Sequence, residues 1–221
     1  MAIISISGKI GSGKDLTGRI IQYLTSTYQD KYVFADWLDR VVNYGSDPHS
    51  EWKIKKFAYA LKEVASTLTG IPIENFEKMD VKNSALGDEW GGMIVRDFLQ
   101  KLGTEAIRNN VHTNAWVNAL FSGYKKPAII AIEKTGGYTN SEHPMDFPNW
   151  VITDMRFPNE LDAVRVYGIT IRLRRNSDQS SCHLSETALD DSVFDYIIDN
   201  NGTIDELLEK VRVILAKENL Y

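Results

Sequence analysis

The chain begins with Ala2-Ile3-Ile4-Ser5-Ile6-Ser7, an apolar run short enough to be a buried strand, and goes straight on to Gly8-Lys9-Ile10-Gly11-Ser12-Gly13-Lys14-Asp15. Beyond that loop, Leu16, Ile20, Ile21 and Leu24 recur at helical spacing. A Gly-x4-Gly-Lys loop between a strand and an amphipathic helix is a phosphate cradle. Its glycines let the backbone bend so that N–H groups point inward. The helix N-terminus adds partial positive charge, and Lys14 adds a full one. Asp15 stands where the common loop has a Ser or Thr hydroxyl for Mg²⁺. A carboxylate holds Mg²⁺ directly or through water. Without the metal it repels phosphate, so a strong Mg²⁺ dependence is expected.

A chain of 221 residues fits one α/β domain, with room for a smaller inserted region. The formal net charge of -5 argues against a sequence-independent grip on DNA or RNA, and points local basic clusters at a small anionic ligand. With the single cysteine Cys182, read as a bystander, no intrachain disulfide forms, which fits a reducing compartment. No stretch reaches the roughly 20 apolar residues of a membrane span. The phosphate loop starts so early that no cleaved signal is expected, and the reading is a cytoplasmic protein.

Apolar runs alternate with helical patterns along the chain. Strands are expected at residues 52–57, 127–132, 150–153, 169–174 and 196–199, and helices at 14–28, 58–68, 94–102, 159–167 and from 204 onward. Gly103 reads as a helix stop, Thr104 and Asn114 as caps, and Thr203-x-x-Glu206 as a capping box. Residues 74–92 look like a polar, mobile connection, and 133–149 like an excursion from the core. This alternation predicts a mostly parallel sheet covered on both faces, with ligands beyond the carboxyl ends of its strands.

Asp154 closes one of those strands, where it would hold Mg²⁺ through water, orient a substrate hydroxyl, or simply make a turn. Arg156 and Glu160 follow, an acid–arginine–acid cluster beside the phosphates, with Arg156 suited to bridging phosphoryl oxygens. Trp116 reads either as a platform for a base or as core beside Leu120. Lys62 reads either as a surface helix lysine or as one aimed at an acceptor phosphate, and Arg174 as a surface ion-pair residue or a charge stabiliser.

The ordered blocks Ser7-Gly8-Lys9 with Ser12-Gly13-Lys14-Asp15, Arg96-Asp97-Phe98-Leu99-Gln100-Lys101-Leu102-Gly103-Thr104, Asn109-Asn110 with Trp116, Asp154-Met155-Arg156-Phe157-Pro158-Asn159-Glu160, and His183-Leu184-Ser185-Glu186 resemble the deoxynucleoside monophosphate kinases of large tailed bacteriophages. The turn Asn200-Asn201-Gly202-Thr203 before the last helix fits as well. The resemblance implies an α/β, P-loop NTPase-type three-layer sandwich with a mostly parallel sheet, an inserted helical monophosphate-binding region and a lid. It implies transfer of the γ-phosphoryl of ATP to a deoxynucleoside 5′-monophosphate with Mg²⁺, in the host cytoplasm if phage-encoded. Carried over by position, Gly11, Ser12, Gly13, Lys14, Asp15, Leu16, Thr17 and Asn201 would hold ATP. Lys9, Arg96, Gly103, Thr104, Trp116, Asp154, Arg156 and Glu160 would line the monophosphate side. Lys14, Asp15, Asp154 and Arg156 would act in the transfer, with Asp15 and Asp154 on Mg²⁺.

In this reading the chain is a single domain whose residues 36–100 bind the acceptor and whose residues 155–165 form the lid. ATP and the monophosphate are its partners, no nucleic-acid polymer or membrane is involved, and a homodimer is left open. The acceptor is already an anion, so no general base is assigned. Two rivals are a kinase for another small acceptor, such as dephospho-coenzyme A, and a nucleotide-hydrolysing switch or motor subunit. The absence of an Asn-Lys-x-Asp guanine-reading sequence weighs against a GTP-reading switch.

Overall fold

The first strand, β1 (Ile3–Gly8), has Ile3, Ile4, Ser5 and Ile6 all without solvent exposure. A strand covered on both faces needs apolar residues in succession rather than in alternation, as this run has. The computed structural model describes residues 2–44, 50–124, 131–132, 138–139, 147–176 and 187–220. Within these, β1 lies at the centre of a five-stranded sheet with β2 (Trp52–Lys55), β5 (Asn149–Met155), β6 (Gly168–Arg174) and β7 (Tyr196–Asp199), in the order β2-β5-β1-β6-β7. All four pairings are parallel. The expectation of a mostly parallel α/β sheet is met.

Helices cover both faces. On one, α1 (Lys14–Leu24), α2 (Phe34–Tyr44) and the last helix, α8 (Ile204–Lys217), pack Ile20, Ile21, Leu24, Trp37, Val211 and Leu215 against Ile4, Ile6 and Ile171. On the other, α6 (Ala115–Ser122) and α7 (Pro158–Arg165) set Val117, Leu161 and Val164 against Ile3, Trp150 and Ile152. The expected capping box of α8 is half present in the bonds: the Thr203 hydroxyl accepts from the Glu206 N–H at 3.2 Å. Helix α1 ends four residues short of expectation, at Leu24, and Thr25 turns its hydroxyl back on the Ile21 carbonyl at 2.7 Å. Helix α2 was not expected. Its signal is nonetheless present, since Phe34, Trp37 and Val41 stand at the i, i+3, i+7 spacing of a buried stripe and all three are buried.

A third, separate core belongs to the insertion between β2 and α6. There α3 (Ala58–Thr69), α4 (Met79–Asn83), α5 (Val95–Gln100) and two short 3₁₀ turns, Ile73–Glu77 and Asp88–Trp90, enclose Ala65, Phe76, Leu86, Val95 and Phe98. Residues 74–92, expected to be a mobile connection, are therefore a folded wall pinned by fully buried Phe76. Their polar composition hid a single deep aromatic anchor.

Gly103 does not stop a helix. Helix α5 continues through it as a π-helical stretch, Lys101–Arg108. A Cβ on Gly103 would come within 2.8 Å of Leu61 Cδ2, so glycine here allows close packing on α3. Thr104 lies inside this stretch and so does not cap a helix, and Asn114 flanks α6 without a side-chain cap bond. Of the expected strand at 127–132, β3 (Ala131–Ile132) pairs antiparallel with β4 (Tyr138–Thr139), apart from the main sheet. The rest of that run, most of the 133–149 excursion, Cys182 and the His183–Glu186 block lie outside the described residues.

The lid expectation at 155–165 needs correction. Helix α7 buries Leu161 and Val164 almost completely, so lifting it would expose the core. Leu161→Ala is expected to lower stability by about 2–5 kcal/mol in urea unfolding, the cost of an internal cavity. A surface lid at this place would show almost none.

Candidate active site

At the carboxyl ends of β1 and β5, the phosphate loop faces the helical insertion across a cleft of about 720 Å³. Gly11 and Gly13 take the left-handed backbone (φ 77° and 96°) that the cradle requires. A Cβ on Gly13 would also meet Asn200 Nδ2 at 2.7 Å. Asn200 is buried and donates that amide to the Ser12 carbonyl at 2.9 Å, which clamps the loop from the β7 side. Its neighbour Asn201, the residue singled out from the sequence, accepts from the Asn176 N–H at 2.7 Å and holds the end of β6 instead. The Asn-Asn pair was visible in the sequence, but not which member faces inward.

Lys14 donates from Nζ to the Gly8 and Lys9 carbonyls at 2.6 and 2.8 Å, folded over its own loop. Thr17 is fully buried and spends its hydroxyl on the Gly13 carbonyl at 3.0 Å, so that hydroxyl donor is engaged within the helix. Buried Ser12 Oγ has no hydrogen-bond partner among the described residues. The first turn of a helix leaves N–H groups without intrahelical acceptors. Together with the left-handed glycines these features fit a phosphate chain.

Lys9 does not line this cleft. It pairs with Asp190 at 3.5 Å and, with Arg172, Arg174 and Arg175, lines a smaller pocket of about 280 Å³ beyond β6. Arg175 reaches back to the Gly11 carbonyl at 3.3 Å. Gly11, Gly13, Lys14, Asp15, Leu16, Arg96, Gly103, Thr104, Trp116, Asp154, Arg156 and Glu160 do line the cleft, so most of the residues picked from the sequence converge on it.

The two acids assigned to metal differ in character. Asp15 is exposed at the mouth of the loop, where Thr153 Oγ1 donates to its Oδ1 at 2.7 Å and Lys56 Nζ lies 3.2 Å away. Asp154 instead accepts from the Phe57 and Ala58 N–H groups, at 2.8 and 3.0 Å, and so anchors the start of α3. Burial pushes its carboxyl up, against the pull of those N–H groups, Arg156 and Lys56. No cluster of three or more His, Cys, Asp or Glu with metal-holding geometry exists among the described residues. One or two carboxylates completed by substrate oxygens is a donor set that suits Mg²⁺.

Glu160 is 2% exposed. Its Oε2 accepts from the Arg156 and Phe157 N–H groups at 2.7 and 3.1 Å, and its Oε1 from Arg108 Nη2 at 2.8 Å. Burial pushes its carboxyl up to about 7, against the Arg156 N–H and Arg108 and with help from Asp154. Arg108 lies over the Phe157 ring at 3.9 Å and bonds Asn159 Oδ1 at 3.1 Å. Thus Glu160 organises the turn that carries Arg156. Trp116 is 8% exposed, lines the cleft, and donates its indole N–H to the Gly103 carbonyl at 2.9 Å.

Sequence reasoning missed Lys56, Glu77, Lys82 and Arg108, all on the cleft wall, and left Lys62 open between a surface lysine and one facing a ligand. Lys62 is not a surface lysine but is 8% exposed, with Nζ 2.5 Å from Glu77 Oε1. Its place beside the apolar face of α3 was the available signal.

Removing Arg108 would strand Glu160. A carboxyl raised toward 7 is protonated in the fold at pH 5 and must ionise or stay protonated at a cost at pH 8. Arg108→Met is therefore expected to lose about 3–5 kcal/mol of urea stability at pH 8, and distinctly less at pH 5. An equal loss at both pH values would show that the pair carries no such coupling.

A family model described as deoxynucleotide monophosphate kinase matches residues 53–211. The deoxynucleotide monophosphate kinase of Escherichia phage RB69 is 26% identical over 158 residues, 69% of this chain and 57% of that protein. That of Enterobacteria phage T4 is 29% identical over 135 residues, 60% of this chain and 48% of that protein. The chain thus spans about half the length of these curated relatives. Among solved structures, the shikimate kinase of Bacteroides thetaiotaomicron aligns over 97% of this chain and 98% of its own, with 12% identity and a TM-score of 0.38. With the family match running from β2 into the last helix, the chain belongs to the deoxynucleotide monophosphate kinase family.

Proposed function

We propose that this chain transfers the γ-phosphoryl of ATP to the 5′-phosphate of a deoxynucleoside monophosphate. The observation that carries the reading is one continuous cleft with a phosphate cradle on one wall and Arg96, Thr104, Trp116 and Arg156 on another. A site that only hydrolysed its nucleotide has no need of a second, base-sized and cationic wall. The donor triphosphate lies along Gly11 to Leu16, on the loop that Asn200 clamps through the Ser12 carbonyl. The monophosphate lies between Trp116, Gly103 and Arg96, within the insertion.

The transfer balances simply. An oxygen of the acceptor's 5′-phosphate forms a bond to Pγ, the bond from Pγ to the β-bridging oxygen breaks, and ADP leaves with that electron pair. Both nucleophile and leaving group are already anions, so charge stabilisation and alignment are the main requirements. Lys14, released from the Gly8 and Lys9 carbonyls, offers its ammonium to the β- and γ-oxygens. Arg156, on the turn fixed by Glu160, faces the moving phosphoryl group. Asp15, with Asp154 behind it, would hold Mg²⁺, and the ion would supply charge neutralisation for the ATP oxygens.

The test is direct. The purified protein is incubated with ATP, Mg²⁺ and each deoxynucleoside monophosphate in turn, and diphosphate is followed. At least one monophosphate is expected to give diphosphate, with kcat/KM falling about 100-fold or more in Lys14→Ala. ATP consumed with no acceptor product would defeat the reading.

A further inference from the structure

Arg108 has no part in the transfer as described, yet it closes an element of unusual winding. In the π-helical stretch Lys101–Arg108 each turn closes one residue later than in an α-helix, which draws residues five apart toward one face. Gly103 and Arg108 are such a pair, and both line the cleft with Thr104. The Gly103 carbonyl also receives the Trp116 indole N–H at 2.9 Å. One short element therefore carries part of the acceptor wall near its start and Arg108 at its end. Windings of this kind are rare and gather at functional sites.

The Arg108 guanidinium meets the turn after β5 and the start of α7 at three residues. Nη2 donates to Glu160 Oε1 at 2.8 Å, Nη1 donates to Asn159 Oδ1 at 3.1 Å, and the guanidinium carbon lies 3.9 Å from the centre of the Phe157 ring. Nη1 also reaches the Thr113 carbonyl at 3.4 Å, and Asn159 Nδ2 donates to that carbonyl and to Asn114 Oδ1, at 3.2 and 2.8 Å. The other Glu160 oxygen receives the Arg156 and Phe157 N–H groups. A single carboxylate thus joins the Arg108 side chain to the backbone of Arg156. Arg108 Nε is buried with no hydrogen-bond partner among the described residues, so the side chain forgoes one donor and keeps its fork on the turn.

Stability does not demand this arrangement. Helix α7 is already held by buried Leu161 and Val164, and a buried ion pair adds little over apolar side chains of similar volume. What a planar, forked donor adds is direction: it fixes the turn in distance and in orientation, where a lysine supplies only a point charge. Orientation is what the transfer requires of Arg156, because a misplacement of about 1 Å costs about 100-fold in rate. We propose that Arg108 is the positioning residue of Arg156: through Glu160 it sets where that arginine stands in the cleft, and the π-helical stretch ties this setting to the acceptor wall. The proposal deepens the kinase reading and rests on it for the transfer step, while the hold on the turn stands on geometry.

Arg108→Lys keeps a positive charge beside Glu160 but loses the fork, so it separates positioning from folding. With ATP and monophosphate varied separately, kcat is expected to fall about 10- to 100-fold while both KM values change less than about 3-fold. A rise in the monophosphate KM with kcat unchanged would make Arg108 a substrate contact and overturn the proposal. A double-mutant cycle with Arg156→Met asks whether the effect runs through Arg156. In that background Arg108→Lys is expected to change kcat less than about 3-fold, and the full fall in both backgrounds would overturn the proposal. Amide hydrogen exchange gives a readout without turnover. The Arg156 and Phe157 N–H groups are expected to exchange about 10-fold faster in Arg108→Lys, with those of Ile152 and Val164 unchanged. If the wild type forms no diphosphate, the kinase reading falls and this exchange decides alone. Faster exchange confined to the turn would uphold the hold of Arg108 on Arg156, and equal exchange, or a rise along the whole chain, would overturn it.

Discussion

The parallel pairing of β1 with β5 is the contact on which the site depends. It aligns Ile3 with Trp150 and Ser7 with Met155, with the register shifting between Ser5 and Ser7. Both strands are buried over most of their length, so a slip of one residue would exchange the side chains that face the two helical layers. That register brings the first turn of α1 beside the end of β5, close enough for Thr153 to bond Asp15. It also brings the turn after β5 beneath the insertion. Every cationic group facing the cleft is carried on one of these two ends or on something anchored to them.

The acids of the site serve mostly as fasteners. Asp154 is tied to the start of α3, Glu160 to Arg108 and the turn after β5, and Glu77 to three lysines. Where such a carboxylate is buried, as Glu160 is, it stabilises a geometry at the cost of its own solvation, and the lysines and arginines around the cleft set the local potential. This explains how a chain with formal net charge -5 presents a cationic cleft. The negative charge is spread over the rest of the surface, while positive groups are concentrated where field lines converge between low-dielectric walls.

How much of this was legible in the sequence follows from the range of each interaction. The phosphate loop, the parallel alternation and the Thr203 cap are local patterns, set by residues within a few positions of one another. The same holds for Asp154, Arg156 and Glu160, which one strand end brings together. Arg108 meets Glu160 across 52 positions, and Lys62 meets Glu77 across 15, beside a buried Phe76 that stands among polar residues in the sequence. No periodicity announces such a pair. Gly103 misled for a different reason: a glycine read as a helix stop was there to let α3 approach, a demand made by packing and not by the local backbone.

The separate core of the insertion explains why its wall can hold a fixed pattern of charge. Ala65, Phe76, Leu86, Val95 and Phe98 bury one another without help from the sheet, so the spacing of Lys62, Glu77 and Lys82 is set inside the insertion. Its bonds to the phosphate-loop side are polar: Asp154 to the start of α3, and Lys56 to Asp15. A hydrogen bond or exposed ion pair contributes about 1 kcal/mol, whereas each large buried side chain contributes about 1.5–3 kcal/mol. The spacing of charges within the wall is therefore held mainly by the insertion's own core. Phe57, buried with Val117 and Trp150 at the head of α3, and the two Asp154 bonds beside it then fix where that wall stands against the end of β5, so the charge pattern is set by the insertion and its place by the sheet.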